Sequence, residues 1–211
     1  MTTETMTVHE ALSELKMLDR RVTRKINDAV FCLANRHSNT KINGQTIDEY
    51  KATAAESYQS IQNLIKRRAA IRNELSKSNA TATVTIAGKE YTVAEAIEMK
   101  KSGIDLLQHL ATSMGAALST ATRTIKMEND QLEDKADRYL QNMFGAKEKT
   151  NAADLNNARE AYISANTMEM IDPLGIEKEL SDLNDKIETF EHEVDSKISV
   201  SNALTTITIS Y

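Results

Sequence analysis

The chain has 211 residues and a formal net charge of −5, and 27 % of its residues are charged while only 4 % are aromatic. With one proline and six glycines, this composition favours extended helices and coiled coils over a globular α/β enzyme. The negative net charge argues against a nucleic-acid polymer as partner, because phosphate binding requires clustered positive charge.

The composition also indicates a soluble protein in a reducing, cytoplasmic setting. Cys32 is the single cysteine and cannot form an internal disulfide, and its apolar neighbours from Ala29 to Leu33 favour a buried structural thiol over a nucleophile. The N-terminal residues lack the basic and then apolar order of a signal peptide. No apolar run approaches the roughly 20 residues that span a bilayer.

Two helices are predicted in the first part of the chain. Thr7 and Glu10 form a capping box that begins a helix running to about Ala34. Asn43-Gly44 is a strong turn signal, flanked by arms that can form a small hairpin. A second helix follows over about 48–78, antiparallel to the first if the loop is short.

A β-hairpin is predicted at 80–92. Threonines alternate with apolar or small residues up to Ile86, as a half-buried strand requires, and Ala87-Gly88 can make the tight turn. Thr92 and Glu95 form another capping box, which begins a third helix.

The third helix is predicted over 93–144, about 75 Å long at 1.5 Å per residue. Apolar residues recur along it at intervals of seven, as in a coiled coil. The residues that we assign to an oligomer seam are Ile97, Ile104, Leu118, Ile125 and Leu132. The alternative is that the last helix of the same chain covers this seam. Gly103 and Gly115 mark either a bend or a close approach of another helix.

The remaining elements follow a polar break at 145–151. A short helix is predicted over 153–168, and residues 126–172 are interpreted as a projecting helical insertion. Asp172 and Pro173 fit the N-cap and first position of a final helix whose apolar seam runs from Ile176 to Val194. Residues 203–211 alternate with period two and predict a terminal strand, for which the Thr81–Ile86 strand is the expected partner.

The predicted fold is therefore mainly α: long antiparallel helices with a coiled-coil-like repeat, and a small β-hairpin and C-terminal strand that form a minor sheet. We expect one elongated domain over 1–211.

Three stretches together resemble a known family. They are 6–15, then 70–81 with Gly88, Thr92 and 95–97, and finally 179–187. The order is similar to that of small bacterial helical proteins, some of them labelled septicolysin, in which an Asn-Ala-Thr element follows an antiparallel helix pair. The resemblance covers about two thirds of the chain and implies the fold, and it implies no activity.

The sequence contains no recognisable catalytic motif. The histidines His9, His37, His109 and His192 are scattered, without a second histidine or cysteine at metal-ligand spacing. A Gly-rich phosphate loop, a nucleophile elbow and a Glu-x-x-His motif are also missing. We therefore expect a protein that is not an enzyme and that needs neither a metal nor another cofactor.

One cationic cluster is a candidate site for an anionic small molecule such as a nucleotide. If the second and third helices fold back on one another, their basic residues converge with hydrogen-bonding groups near the hairpin. The members are Lys66, Arg67, Arg68, Arg72, Asn79, Thr81, Lys89, Lys100 and Lys101. The alternative is that these cations only form ion pairs with Glu56, Glu74, Glu95 and Glu98.

Two functions remain. The one that the repeat favours is a homo-oligomeric assembly or scaffold protein that acts through protein contacts. The other is a binding protein that sequesters an anionic small molecule without altering it.

Overall fold

The computed structural model describes residues 2–145 and 151–211. Helices make up 74 % of the described residues and the strands form small two-stranded sheets, so the predicted mainly α fold is confirmed. The chain divides into two compact units, Met1–Ser102 with Thr189–Tyr211, and Gly103–Glu188. The single domain predicted over 1–211 stays a prediction.

The first unit contains all the strands of the described residues. Its elements in chain order are β1 (Thr3–Thr7), α1 (Val8–Asp28), β2 (Lys41–Ile42), β3 (Gln45–Thr46), α2 (Ile47–Thr81), β4 (Thr83–Ile86), β5 (Lys89–Thr92), α3 (Val93–Glu98), the last part of α7 (Ile176–Leu204) and β6 (Thr206–Ser210). A π-helical turn, Met99–Gly103, follows α3.

Capping boxes begin three helices of this unit. The boxes predicted at Thr7 and Thr92 are present, and a third one at Thr46 begins α2. Each threonine accepts the N–H of the glutamate three residues later, whose carboxylate accepts the threonine N–H in return. These bonds fix the starts of α1, α2 and α3.

The first helix ends at Asp28, not at about Ala34 as predicted. Ala29 adopts extended backbone angles (φ −79°, ψ 135°), and the apolar side chain of Val30 is exposed. Helices in proteins owe most of their stability to packing, so an apolar stripe that meets no neighbour does not keep the chain helical.

The predicted partner of the terminal strand is wrong. β6 pairs with β1, antiparallel, in a register that runs from Thr3↔Ser210 to Thr7↔Thr206. The physical reason is that the two strands share an apolar face that joins the core. That core consists of Met6, Val8, Ala11, Leu15, Leu18, Ile71, Leu75, Ile207 and Ile209.

The predicted hairpin is present as β4 and β5, although α2 extends to Thr81 and shortens its first arm. Ala87 and Gly88 both have positive φ (49° and 74°), which a two-residue turn of this type requires. Asn43 and Gly44 form the same kind of turn between β2 and β3 (φ 47° and 84°).

The second unit contains α4 (Ile104–Asp130), α5 (Leu132–Phe144), α6 (Ala152–Asn166) and the first part of α7. The helix predicted over 93–144 is interrupted twice, by the π-helical turn and at Gln131 (φ −96°, ψ −3°). A Cβ built on Gly115 would lie 3.7 Å from Cδ2 of Leu180, so α7 approaches α4 closely there.

The final helix begins at Ile176, and the prediction that Pro173 is its first residue is wrong. Gly175 has a positive φ of 65°, which a right-handed helix does not accommodate. Asp172 still caps the chain, because its carboxylate accepts hydrogen bonds from the N–H groups of Leu174 (3.1 Å) and Ile176 (2.8 Å).

Most of the predicted polar break at 145–151 lies outside the described residues, and the predicted insertion at 126–172 falls within the second unit. None of the helices in the described part of the chain is long and apolar enough to cross a membrane.

Candidate functional site

Arg67 lies on α2 where this helix faces β1 and α1, and it forms the densest polar contact of the predicted cluster. Its guanidinium donates to Glu4 (Nη1 to Oε2, 2.7 Å) and to both carboxylate oxygens of Glu14 (Nη2 to Oε2, 2.9 Å). It also donates to the hydroxyl of Tyr211 and lies over that ring, 4.8 Å from the centroid. Arg67 therefore links β1, α1 and the residue that follows β6.

The charge of Arg67 is already neutralised. The hydrogen bonds to Glu14 and then Glu4 raise its pKa far above the ordinary range, and the hydrogen bond from Arg67 lowers the pKa of Glu4. Only 17 % of the Arg67 side chain is exposed. An incoming anion would have to displace two carboxylates, which makes Arg67 a structural cation.

Two further cations of the predicted cluster are paired in the same way. Arg68 binds Asp19 of α1, and this hydrogen bond lowers the pKa of the Asp19 carboxyl group. Lys100 binds Asp195 at 2.5 Å. Both partners lie far away in the sequence and differ from the four glutamates expected from the sequence.

The other members of the cluster do not converge on one point. Lys89 lies over the ring of Tyr91, 4.8 Å from its centroid, and Thr81 donates back to the carbonyl of Lys77 at 3.1 Å. The side chains of Lys66, Arg72 and Lys101 are exposed, and Asn79 is half-buried. Five of the nine predicted residues, Arg67, Arg68, Thr81, Lys89 and Lys100, therefore have separate contacts of their own.

Two grooves flank the β1–β6 sheet, one along each edge. The groove beside β6, which we call the β6 groove, has a volume of ≈ 630 Å³ and lies between this strand and α2. Lys66, Ala70 and Asn73 line it from α2, and Thr208 and Ser210 line it from β6. Of the predicted site residues, only Lys66 lines this groove.

The groove beside β1, which we call the β1 groove, has a volume of ≈ 610 Å³ and is more acidic. Its lining includes Met6, Met17 and three glutamates, Glu4, Glu10 and Glu14. The sequence predicts neither groove, because the β1 groove requires β1 and the β6 groove requires β6 to lie along α2, and no local pattern indicates either.

Residues 2–145 and 151–211 contain no group of three histidine, cysteine or acidic side chains that could hold a metal ion. Among the same residues, no buried side-chain nitrogen or oxygen lacks a hydrogen-bond partner.

The surface of α4 in the second unit carries exposed apolar side chains. On α4, the side chains of Leu106, Leu110 and Met127 are 70 %, 50 % and 56 % exposed. Met127 lies about 100° around the helix axis from Leu110, whereas Leu106 and Leu110 are four residues apart and lie on one face. We call this face the α4 stripe.

The predicted oligomer seam lies on a different face of the helix. Ile104 and Leu132 are buried within the chain itself, and Leu118 and Ile125 are half-buried. Ile97 is 43 % exposed. The role of these residues as a contact between copies stays a prediction.

Cys32 is exposed, so the prediction of a buried structural thiol is wrong. It lies beyond the end of α1, where Phe31 is 50 % exposed and contacts Tyr58 edge to face at 6.4 Å between ring centroids. The apolar neighbours of Cys32 are themselves at the surface, which explains the error.

Comparison with known proteins finds no match to a family model, to a curated protein or to a solved structure. The resemblance to the septicolysin-labelled family stays a prediction.

Proposed function

We propose that this protein is a non-enzymatic assembly or scaffold protein that acts through protein contacts, and that a second copy docks on the α4 stripe. The exposure of Leu106 and Leu110 is the observation that carries this proposal. These side chains lie on α4 opposite a face that the chain already buries at Ile104 and Ala111. Apolar residues on two opposite faces are typical of a helix that packs against other protein elements on both faces.

The composition of the α4 stripe supports a helix as the partner. C-terminal to its two leucines the same face carries small residues, Ser113, Ala117 and Thr124. Small side chains permit a close approach of a second helix, and apolar burial stabilises the contact by roughly 25 cal/mol per Å². A twofold pair of α4 helices is the simplest closed arrangement.

The second function, sequestration of an anionic small molecule, has less support. Three of the seven cations of the predicted cluster, Arg67, Arg68 and Lys100, already pair with carboxylates, so their charge is not available to an anion. A thermal-shift screen with nucleotides and inorganic phosphate tests it directly, since a ligand of the folded state raises the melting temperature. We also place the protein in the cytoplasm, and its single cysteine supports this assignment.

Sedimentation at micromolar concentration tests the assembly function with two matched double variants. Leu106→Glu with Leu110→Glu places charges in the α4 stripe, and we expect a smaller species than the wild type forms. Thr112→Glu with Ser119→Glu adds the same charges on another exposed face of α4, and we expect the wild-type mass. Equal masses for the wild type and the leucine double variant would overturn the docking of a second copy on the α4 stripe.

A further inference from the structure

The hydrogen-bond register of the β1–β6 sheet shows which backbone groups face outward. Thr2 and Tyr211 exchange both backbone hydrogen bonds, at 3.1 and 3.2 Å, and the N–H of Val8 bonds to the carbonyl of Thr205 at 2.9 Å. Such bonded pairs alternate along an antiparallel ladder. The N–H and C=O groups of Thr206, Thr208 and Ser210 therefore point away from β1.

This outer edge of β6 has no strand partner in the described part of the chain. The three residues that direct their backbone groups outward have no backbone hydrogen bond to any other element of the described chain. The strand contains no proline, no charged residue and no bulge, which are the usual means of blocking an edge. An edge of this kind is a template for another strand.

The edge of β1 is blocked by comparison. The N–H of Thr7 is taken by the carboxylate of Glu10 at 2.8 Å, and the adjacent β1 groove is lined by Glu4, Glu10 and Glu14. Two copies that met along β1 would bring these carboxylates together, and like charges across strands are destabilising. A second strand therefore fits β6 rather than β1.

We propose that a second copy of the chain pairs its β6 with this β6, antiparallel, about a twofold axis at Thr208. In this register Thr206 lies opposite Ser210 of the other copy, so every residue with outward backbone groups meets another such residue. Ile207 lies opposite Ile209 on the buried face, and the hydroxyls stay together on the exposed face. The result is a four-stranded sheet in the order β1–β6–β6–β1.

The β6 groove provides room for this pairing. Ala69, Ala70 and Asn73 are short side chains that leave its ≈ 630 Å³ open beside the strand. This pairing goes beyond the proposed function and does not depend on the α4 stripe.

Disulfide cross-linking tests the register. In a Cys32→Ser background, Thr208→Cys places two thiols opposite each other across the axis. Bonded pairs in antiparallel strands have Cα atoms about 5.5 Å apart, which a disulfide can bridge. We expect a covalent dimer on mild oxidation. Thr206→Cys alone is the matched control and stays monomeric on a denaturing gel, but it cross-links when mixed with Ser210→Cys.

Edge charge tests the contact without oxidation. In the Leu106→Glu/Leu110→Glu background, which removes the α4 stripe, we expect a dimer that Thr208→Lys converts to a monomer. Thr5→Lys changes the cross-strand neighbour of Thr208, whose hydroxyl lies 3.0 Å from it, but leaves the β6 edge free, so the dimer persists. Absence of the Thr208→Cys cross-link, or an unchanged mass of Thr208→Lys, would overturn the proposal whatever the α4 stripe does.

Discussion

The two units of the chain are stabilised in different ways. The first unit has a continuous aliphatic core in which Ile71 and Ile209 are completely buried. The second unit buries fewer side chains, among them Ile104, Leu132 and Ala136. Its helices contact one another mainly through individual pairs of residues, and most of the helix surface between these pairs is exposed.

The pair contacts of the second unit are largely polar or aromatic. Tyr139 of α5 stacks on Tyr162 of α6 with ring centroids 4.6 Å apart, and Arg159 pairs with Asp137 at 3.1 Å. The side chain of Asn129 bonds to both backbone groups of Met168, at 2.9 Å each. Exposed ion pairs contribute little to the free energy of unfolding. We therefore expect local opening to cost less free energy in the second unit than in the first.

The largest expected effect is that of Ile71→Ala. Ile71 is 0 % exposed in the centre of the first unit's core, and a fully buried isoleucine truncation costs about 3 kcal/mol of unfolding free energy. Leu118→Ala, at a half-buried position of the second unit, is expected to cost about 1 kcal/mol. Urea denaturation of both variants measures the difference. Equal costs would contradict the contrast between the two units.

A smaller effect is expected for Arg67→Met. The substitution keeps the aliphatic length but leaves Glu4 and Glu14 without their cation, at a cost of about 2 kcal/mol of unfolding free energy. Lys66→Met changes the preceding, exposed residue and is the control, expected within about 0.5 kcal/mol of the wild type. If both variants unfold at the same urea concentration, Arg67 does not link the strands to α2.

The wild type and Arg67→Met are also expected to differ in how their stability depends on pH. The hydrogen bond from Arg67 lowers the pKa of Glu4 below its ordinary value of 4.5. A lowered native pKa adds stability that is fully present above 4.5 and is lost as the pH falls through the native value. The wild type should therefore lose more stability below this pH than Arg67→Met does. The pKa values of the carboxyl groups in the capping boxes are also lowered, and we expect this in both proteins. These groups belong to Glu10, Glu49 and Glu95.

The smallest effect is expected for Tyr139→Ala, at about 1 kcal/mol. Loss of the stacked ring should raise amide hydrogen exchange in α5 and α6 and leave α1 and α2 unchanged. Tyr139→Phe keeps the ring and is expected to behave like the wild type. Faster exchange throughout the first unit would show that the two units do not open separately.

Local signals in the sequence were sufficient for much of this fold. Thr7 and Thr92 each precede a glutamate at the spacing of a capping box, and Ala87-Gly88 supplies the turn of the hairpin. These features depend on residues three or four apart, so they can be recognised without knowledge of the rest of the chain.

Long-range features could not be predicted in this way. β1 has one buried side chain, Met6, so its alternation is too weak to indicate a strand. Without β1, the sequence offered β6 no partner except the hairpin. The end of α1 depends on whether neighbours cover its apolar stripe, which the periodicity itself does not reveal.

The candidate site shows the same limit. Arg67 and Arg68 were recognised as cations on one helix, but their partners Glu14 and Asp19 belong to α1. Whether a cation is free or neutralised depends on which helix packs beside it. The β6 groove likewise exists only because β6 lies along α2, which no local pattern indicates.

The pairing of β1 with β6 has a consequence for the order of folding. Thr5 and Thr208, which face each other in this sheet, are 203 residues apart in the chain. Closing a flexible loop of that length costs roughly 5 kcal/mol of chain entropy, so the sheet is expected to form after the helices have shortened the distance between its strands. Until the sheet forms, the apolar side chains of Ala11 and Ile71 lack the part of the core that β1 and β6 supply. The last step of folding is therefore also the one that protects the first unit from aggregation.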